Sequence, residues 1–236
     1  MSGLGWDTLY RDHADAYELL VSHEDHQGNL LRAIQAIQPL DQKVAAEFGA
    51  GTGRLTSLLA SHVRRLHAFD LSPAMLRVAW GKRRSYGWRN VSLVLADSCR
   101  MPALPGWADF AIEGWAFLQI AVWHPQEWQS QLCLALDEMQ RLVRPGGRLI
   151  LIETLGTGES TPKVVAFFQE VYDFLEKERG FASFDIRTDY CFETKEQIQQ
   201  VVVPLFGQQM LDRLVRTEAG WILPECTGLW WRDVGL

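Results

Sequence analysis

Short apolar runs alternate with longer segments of helical hydrophobic spacing through the first two thirds of the chain. The first run, KVAAEFGA at 43–50, precedes a segment whose apolar residues recur every three or four positions, the spacing of one helix face. A second run, HAFD, ends at residue 70. The segment after it has the signals of a helix start, with Ser72 as N-cap and Pro73 at the first helical position.

The alternation continues with apolar runs at 91–97, 108–114 and 148–154, and a helix is predicted from about 125 to 143. Strands that alternate with helices form a parallel sheet that is covered on both faces. Because the crossovers between parallel strands are right-handed, the sequence predicts a doubly wound α/β sandwich.

The pattern changes beyond residue 155. A long helix is predicted at 161–180, an extended segment at 184–194 and a further helix directly after it. Two late segments, 210–217 and 226–232, are predicted to be strands that pair antiparallel at the sheet edge. We therefore expect a mostly parallel seven-stranded sheet with an antiparallel edge strand. The first forty residues have helical spacing.

Composition and charge narrow the range of functions. The 236 residues are 47% hydrophobic and 22% charged, which is ordinary for a globular protein, and the net charge of -6 argues against a nucleic-acid partner. The chain has an acidic start and no window of ~18 apolar residues, so we expect a cytoplasmic protein without a membrane partner. The four cysteines lack C-x-x-C spacing, and HEDH at 23–26 is interpreted as a solvated helix face, so no metal is expected.

A glycine-rich stretch, EFGAGTGRL, follows the first predicted strand. Gly49, Gly51 and Gly53 give the spacing G-x-G-x-G, which permits a tight turn and a close approach of the main chain to a ligand. In an open α/β sheet, ligands bind at the carboxyl ends of the strands. The loop is therefore a candidate ligand site, although a tight turn without a ligand has the same glycine pattern.

Two carboxylates end the next two predicted strands. Asp70 comes nineteen positions after Gly51, where a carboxylate can accept hydrogen bonds from the hydroxyls of an adenosine ribose. Asp97 ends the third strand, where a carboxylate beside a backbone N–H can contact the adenine edge. Together with the glycine loop, these positions predict a cofactor that contains adenosine.

The charge next to the loop favours one type of cofactor. A pyrophosphate prefers the spacing G-x-G-x-x-G, whereas the third glycine comes one residue earlier in this chain, and Glu47 stands just before the loop. A carboxylate there repels phosphate and attracts a sulfonium or ammonium group. A nicotinamide-dependent oxidoreductase, which shares the sheet and Asp70, is therefore the less favoured alternative.

The successive motifs resemble those of one enzyme family. VAAEFGAGTGRL, HAFDLSPAML, LVLADSCRMPALP, ADFAIEGWAFLQI and MQRLVRPGGRLILIE are similar to the motifs of class I S-adenosylmethionine-dependent methyltransferases, particularly the small-molecule subgroup called type 11. The resemblance covers 43–154, about half of the chain. It implies a Rossmann-like fold, S-adenosylmethionine as the cofactor and S-adenosylhomocysteine as the product.

The resemblance also implies roles for single residues. Glu47 and the backbone of the three loop glycines would surround the methionine part of the cofactor, and Asp70 would bind the ribose. The remaining cofactor contacts would be Leu71 and Met75 on adenine, Asp97 and the Ser98 backbone at its amino edge, and Glu113 beside the sulfonium. Two positions depart from the family pattern: Glu47 stands where Asp is more common, and EGWAFLQI is bulkier than usual after Glu113.

Methyl transfer from a sulfonium needs the two reactants in line and does not require a general base. His124 is the first candidate for a base, and Glu153 is the second. Each has a structural alternative, since His124 can cap or precede the helix predicted at 125, and Glu153 can anchor the loop after its strand. Trp115 is expected to line the substrate pocket, and Tyr17 and Tyr190 are expected to close over it as a lid; plain packing is the alternative for Tyr17, as it is for most of the tryptophans.

The sequence therefore predicts an enzyme that transfers a methyl group from S-adenosylmethionine to an O, N, S or C nucleophile of a small molecule. A cofactor-binding regulatory protein of the same fold is the other alternative. We expect one domain, 1–236, divided into a helical lid (1–40), a cofactor-binding core (41–155), a substrate cap (156–194) and a C-terminal helix with edge strands (195–236).

Overall fold

The computed structural model describes residue 10 and residues 13–235. The strands are β1 (Val44–Phe48), β2 (Arg65–Asp70), β3 (Val91–Leu95), β4 (Ala108–Gly114), β5 (Val143–Thr157), β6 (Ala182–Arg187), β7 (Tyr190–Phe192), β8 (Val215–Arg216), β9 (Trp221–Leu223) and β10 (Glu225–Asp233). The α-helices are α1 (Ala14–Val21), α2 (Asn29–Ile37), α3 (Arg54–Leu59), α4 (Pro73–Ser85), α5 (Phe117–Trp123), α6 (Trp128–Leu142), α7 (Ala166–Asp173), α8 (Lys195–Val201) and α9 (Val203–Phe206).

Seven strands form the main sheet in the order β3-β2-β1-β4-β5-β10-β6. The five strands from β3 to β5 pair in parallel, which confirms the predicted fold class. The antiparallel strand β10 lies one place in from the edge, between β5 and β6, and does not form the edge as predicted. The edge strand is β6, which comes from the segment 156–194 that was predicted to be a cap over the sheet.

Apolar clusters cover the main sheet on its two faces. In β1, Ala45 packs with α2, α3 and α4 on one face, whereas Ala46 and Phe48 pack with α5, α6 and α7 on the other. This alternation is the expected result of the two-residue period of a strand. Because the parallel strands are covered on both faces by the described helices, their ends are the positions that ligands can reach.

The start of α4 agrees with its prediction, whereas two elements in the last third of the chain differ from theirs. The Ser72 hydroxyl accepts a hydrogen bond from the amide of Met75 at 3.3 Å, and Pro73 occupies the first turn, as predicted. The long helix predicted at 161–180 is shorter, since α7 ends at Asp173 and continues as a π-helical turn, Phe174–Glu178. The strand predicted at 210–217 is wrong over most of its length, because a 3-10 helix, Gln208–Arg213, precedes the two-residue strand β8.

The lid predicted at 1–40 is described in part. Residues 1–9, 11 and 12 of this prediction lie outside the described residues, and α1 and α2 are helical as predicted. Leu20 of α1 packs with Tyr190, Phe192 and Leu223 of the small sheet β7-β9-β8. The first helix is therefore attached to the C-terminal part of the chain. Among the described residues, no helix is both long and apolar enough to cross a membrane.

Candidate functional site

The glycine loop closes the turn between β1 and α3. Gly49, Gly51 and Gly53 have φ angles of 66°, 55° and 85°, in the left-handed region that favours glycine. A Cβ atom on Gly49 would lie 2.3 Å from the Cβ of Ala116, in the turn after β4. Two carboxyl-end loops therefore meet at a point where only a residue without a side chain fits.

Asp70 connects the glycine loop to the end of β2. Its Oδ2 accepts a hydrogen bond from the amide of Gly51 at 2.7 Å, and its Oδ1 accepts one from the amide of Ser72 at 2.7 Å. Burial raises the pKa of this carboxyl, and the two amide hydrogen bonds oppose that rise. Each oxygen keeps a second lone pair, so the carboxylate can also accept from ligand hydroxyls.

The residues predicted to contact adenine lie at the ends of β2 and β3. Leu71 is 59% exposed, whereas Met75 is 2% exposed and belongs to the protein interior. Asp97 is exposed, and its Oδ1 accepts a hydrogen bond from the amide of Cys99 at 2.8 Å; Ser98 lies between them and is half-buried. Leu71 and Asp97 are therefore accessible to a ligand, whereas Met75 lies beneath the surface.

Glu47 is the penultimate residue of β1, and its side chain is enclosed by protein. It is 1% exposed, and its Oε2 accepts a hydrogen bond from the Thr56 hydroxyl at 2.7 Å. Burial raises the pKa of Glu47 to about 8 because the charged form loses its hydration. A cation bound beside this carboxyl would stabilise its charged form, as the sequence-based argument for a sulfonium requires.

Glu113 and Glu153 form a buried pair near the carboxyl end of β4: Glu113 is one residue before that end, and Glu153 lies in the neighbouring strand β5, which continues to Thr157 beyond the end predicted at 154. Glu113 accepts hydrogen bonds from the amides of Ala116 at 3.1 Å, Phe117 at 3.2 Å and Ile152 at 3.2 Å. The Oε1 of Glu153 accepts from the amide of Leu118 at 2.7 Å. Burial raises the pKa of Glu113 to about 8, and burial together with the charge of Glu113 raises the pKa of Glu153 well above its usual value. Burial and mutual repulsion therefore disfavour a state in which both carboxyls are charged.

His124 lies away from this pair. It follows the last residue of α5, is exposed, and donates its backbone N–H to the carbonyl of Ile120 at 3.1 Å. Glu113 and Glu153 accept hydrogen bonds at the opposite end of the same helix, about 10 Å away for seven residues. The structure thus brings Glu153 to the carboxyl ends of the strands and places His124 at the far end of α5.

Three predicted pocket residues converge on Arg54, which the sequence analysis did not identify. The guanidinium carbon of Arg54 lies 3.3 Å from the ring centre of Trp115, and its charge interacts with the hydroxyls of Tyr17 and Tyr190. Arg54 also forms an ion pair with Glu24, with 2.5 Å between Nη2 and Oε1. The side chain of Glu24 is 1% exposed, so the interpretation of HEDH as a solvated face is wrong at this position.

One signal in the sequence could have identified Arg54: it directly follows the last loop glycine, at the first position of α3. Trp115 is also unusual, since its φ of 56° is rare for a residue other than glycine. Its amide donates to the carbonyl of Ile152 at 2.7 Å, which holds this conformation. Such strained residues cluster at functional sites.

The glycine loop at the carboxyl end of β1, the carboxylate after β2 and the antiparallel strand β10 between β5 and β6 define a class I S-adenosylmethionine-dependent methyltransferase fold. Residues 45–147 match the sequence family described as a methyltransferase domain. The chain is similar to this family over the segment that holds the glycine loop, Asp70 and Glu113.

Curated relatives and solved structures agree with this assignment. The chain is 29% identical over 145 residues to malonyl-[acyl-carrier protein] O-methyltransferase of Serratia marcescens, with 61% of this chain and 50% of that protein covered. It is 24% identical over 166 residues to demethylmenaquinone methyltransferase of Anoxybacillus flavithermus, with 69% and 64% covered. The chain thus spans half to two thirds of the length of these relatives.

The fold is also similar to phosphoethanolamine N-methyltransferase 2 of Haemonchus contortus, solved with phosphomonomethylethanolamine and S-adenosylhomocysteine. The TM-score is 0.61 at 16% identity, and the match covers 97% of this chain and 60% of that one. At this identity the likeness shows the fold.

Proposed function

We propose that this chain transfers a methyl group from S-adenosylmethionine to a small-molecule acceptor, with S-adenosylhomocysteine as the product. The observation that carries the proposal is the arrangement of Glu47, the glycine loop and Asp70 at adjacent strand ends. The three loop glycines let the main chain approach the methionine part, and Asp70 has lone pairs for ribose hydroxyls. Glu47 is a buried carboxyl whose Oε2 accepts from the Thr56 hydroxyl. These residues fit the cofactor.

The proposed cofactor contacts follow from this placement. Glu47, Gly49, Gly51 and Gly53 would enclose the methionine part, and Asp70 would accept from the ribose. The adenine would contact Leu71 and Asp97, which are accessible, and the backbone of Ser98 beside Asp97. Met75 would pack beneath these contacts from the protein interior. Glu113 would border the reacting centre from the end of β4. The bound cofactor supplies an activated methyl group.

The protein's contribution is to orient the acceptor and to exclude water. Holding two reactants in line can supply up to ~7–11 kcal/mol in favourable cases. If the acceptor must lose a proton, Glu153 is the candidate base with the better position, because it is buried beside Glu113 with a raised pKa. His124 is the second candidate, since an imidazole can act as a general base.

The acceptor pocket is proposed to lie between helix α1 of the predicted lid and the segment 156–194 that supplies Tyr190. Tyr17 would close over the pocket from α1, and Trp115 would form its wall above β4. The net charge of -6 favours a small molecule over nucleic acid as the acceptor. Curated relatives named for methylation of a malonyl carrier-protein conjugate and of demethylmenaquinone support an acceptor built on a small molecule.

Calorimetric titration of the purified protein with S-adenosylmethionine, S-adenosylhomocysteine and NAD in parallel tests the proposal. We expect micromolar binding of the first two and none of NAD. Binding of NAD alone would contradict the assignment in favour of an oxidoreductase. Transfer of a labelled methyl group to acceptors then separates an enzyme from a regulatory protein that binds the cofactor without turnover.

A further inference from the structure

A buried group of polar residues adjoins the proposed cofactor site. We call Tyr17, Glu24, Arg54, Tyr190 and Glu225 the Arg54 cluster. Glu24 is ion-paired with Arg54, and its Oε1 also accepts from the Thr188 hydroxyl at 3.1 Å. Glu225 begins β10, and its Oε1 accepts from the Thr154 hydroxyl at 2.7 Å. The cluster is therefore assembled from the lid, the glycine loop and the C-terminal strands.

The cluster lies next to the position of the reacting methyl group. Arg54 directly follows Gly53, so its backbone is continuous with the loop that would hold the methionine part. Trp115, which stacks on Arg54, is two residues after Glu113 and one after the end of β4. Thr154, which contacts Glu225, directly follows Glu153. Whatever binds in this cluster lies close to the ends of β1, β4 and β5.

Among the residues that the structure describes, two oxygen atoms in the cluster have no hydrogen-bond partner. They are Oε2 of Glu24 and Oε2 of Glu225, and each belongs to a side chain or residue that is 1% exposed. An unpartnered buried acceptor costs about 1–3 kcal/mol, more when it is charged. The cost is relieved if a ligand donates hydrogen bonds to these oxygens, and a positively charged donor relieves it most.

The charges in the cluster do not balance. Two carboxylates, Glu24 and Glu225, share one guanidinium, that of Arg54. Burial raises the pKa of Glu225 to about 8, with the charge of Glu24 acting in the same direction, and burial also raises the pKa of Glu24. Within the described part of the chain, the other groups that face them are hydroxyls, which bring no positive charge: those of Tyr17, Tyr190, Thr154, Thr157 and Thr188. Without a ligand, a proton must supply the missing charge.

Aromatic rings complete the surroundings. Tyr190 is 5% exposed and interacts with both carboxylates, and Tyr17 interacts with Glu24 and Arg54. Trp115 already has a cation, Arg54, over its ring. Aromatic faces attract ammonium groups as they attract guanidinium, by about 0.5–2 kcal/mol. Carboxylates and aromatic rings together select for a cation.

On these grounds we propose that the methyl acceptor is an amine, held through its nitrogen by Glu225 and Glu24. This inference rests on the proposed methyl transfer. The amine binds as an ammonium ion and gives one proton to Glu153, the proposed base, which directly precedes Thr154; this frees the lone pair of the nitrogen. The nitrogen then forms a bond to the methyl carbon as the carbon–sulfur bond breaks, and the electron pair of that bond stays on sulfur. The product leaves as a methylated ammonium ion.

Matched ligands test the inference without any mutation. The protein is saturated with S-adenosylhomocysteine and titrated with 2-phenylethylamine, 2-phenylethanol and phenylacetate, and with butylamine, butanol and butyrate. We expect each amine to bind at least tenfold more tightly than the alcohol and the carboxylate of the same size. Equal binding of the alcohols or carboxylates, or no binding of either amine, would overturn the inference.

A pair of variants locates the amine. Glu225→Gln keeps an oxygen for the Thr154 hydroxyl but cannot become charged, so we expect it to reduce amine binding at least tenfold and leave S-adenosylhomocysteine binding unchanged. Glu178→Gln, on the exposed end of the π-helical turn, is the control. Equal amine binding by both variants would remove Glu225 from the site. Failure of the unaltered protein to bind S-adenosylhomocysteine would instead count against the proposed function.

Discussion

Gly49 and Ala116 approach so closely that a Cβ atom on Gly49 would lie 2.3 Å from the Cβ of Ala116. The glycine loop after β1 and the turn after β4 thus fix each other's position. Because Glu113 accepts hydrogen bonds from the amides of that same turn, the contact also fixes the distance between the loop and the buried carboxylate pair.

Replacement of Gly49 by alanine is expected to separate these two loops. Gly87 provides a matched control, since its φ of 67° equals that of Gly49 within a degree but an added Cβ would meet no atom within 4 Å. Both variants have the cost of a left-handed alanine, about 1–2 kcal/mol. We expect Gly49→Ala to lose a further ~1–3 kcal/mol in urea unfolding, the typical cost of overpacking. Equal losses of unfolding free energy in the two variants would show that the two loops can move apart at no cost.

Asp70→Ala is expected to weaken cofactor binding and to release the glycine loop. The variant removes the acceptor for the amides of Gly51 and Ser72, so we expect a loss of about 1–3 kcal/mol of stability as well as a tenfold or greater loss of S-adenosylmethionine affinity. Asp70→Asn keeps one oxygen, so its stability and its affinity should lie between those of the unaltered protein and those of Asp70→Ala. Calorimetric titration and urea unfolding measure the two effects separately, and an unchanged dissociation constant in Asp70→Ala would remove the ribose assignment.

The affinity for S-adenosylmethionine is expected to rise with pH. The pKa of Glu47 is raised to about 8 in the folded protein, so this carboxyl is protonated at pH 6.5 and charged at pH 9. Only the charged form attracts a sulfonium. We expect about tenfold tighter binding at pH 9, which corresponds to one unit of pKa change on binding.

S-adenosylhomocysteine is the control for this pH effect, because it has the same amino acid and nucleoside groups but no sulfonium. Its affinity should change much less over the same range. Glu47→Gln should make the two pH profiles parallel. If the difference between the two ligands persists in Glu47→Gln, another buried carboxyl, such as Glu113, is responsible.

Two substitutions distinguish the candidate bases. Glu153→Gln keeps an acceptor for the amide of Leu118 but cannot take a proton, and His124→Ala removes an exposed ring at the other end of α5. Because of its position beside Glu113, we expect Glu153→Gln to lower kcat by about 10²–10⁴, the typical contribution of a general base. We expect a smaller effect from His124→Ala. Single-turnover methyl transfer with the identified acceptor gives both rates, and the opposite ranking would assign the base to His124.

The parallel strands of the sheet could be predicted from the sequence because short local patterns specify each of them. Apolar runs of strand length and the Ser72-Pro73 helix start identify the elements up to β5. The position of β10 is not a local property, since it depends on whether β6 pairs outside it, and β6 has mostly exposed residues. Helix α5 was missed because its seven residues are almost all apolar and show no helical periodicity.

The residues of the candidate site also fall into those that the sequence places together and those that meet only in the folded chain. Glu47, the glycines and Asp70 lie in one motif and its neighbouring strand end, so sequence spacing places them together. Glu24 and Arg54 are thirty positions apart in different elements, and only folding shows that they pair. A charged residue in a run such as HEDH is usually solvated, and the pairing with Arg54 is what allows Glu24 to be buried.

The packing of α1 on the small C-terminal sheet has a consequence for how the family diversifies. Leu20 shares an apolar cluster with Tyr190, Phe192 and Leu223. Helix α1 and the strands β7 and β9 therefore lie together beside the proposed pocket. A change of acceptor size at Tyr190 therefore needs a compensating change near Leu20, some 170 positions away. Homologues that differ in acceptor should show paired substitutions at these two positions, and swaps of either end alone should be poorly tolerated.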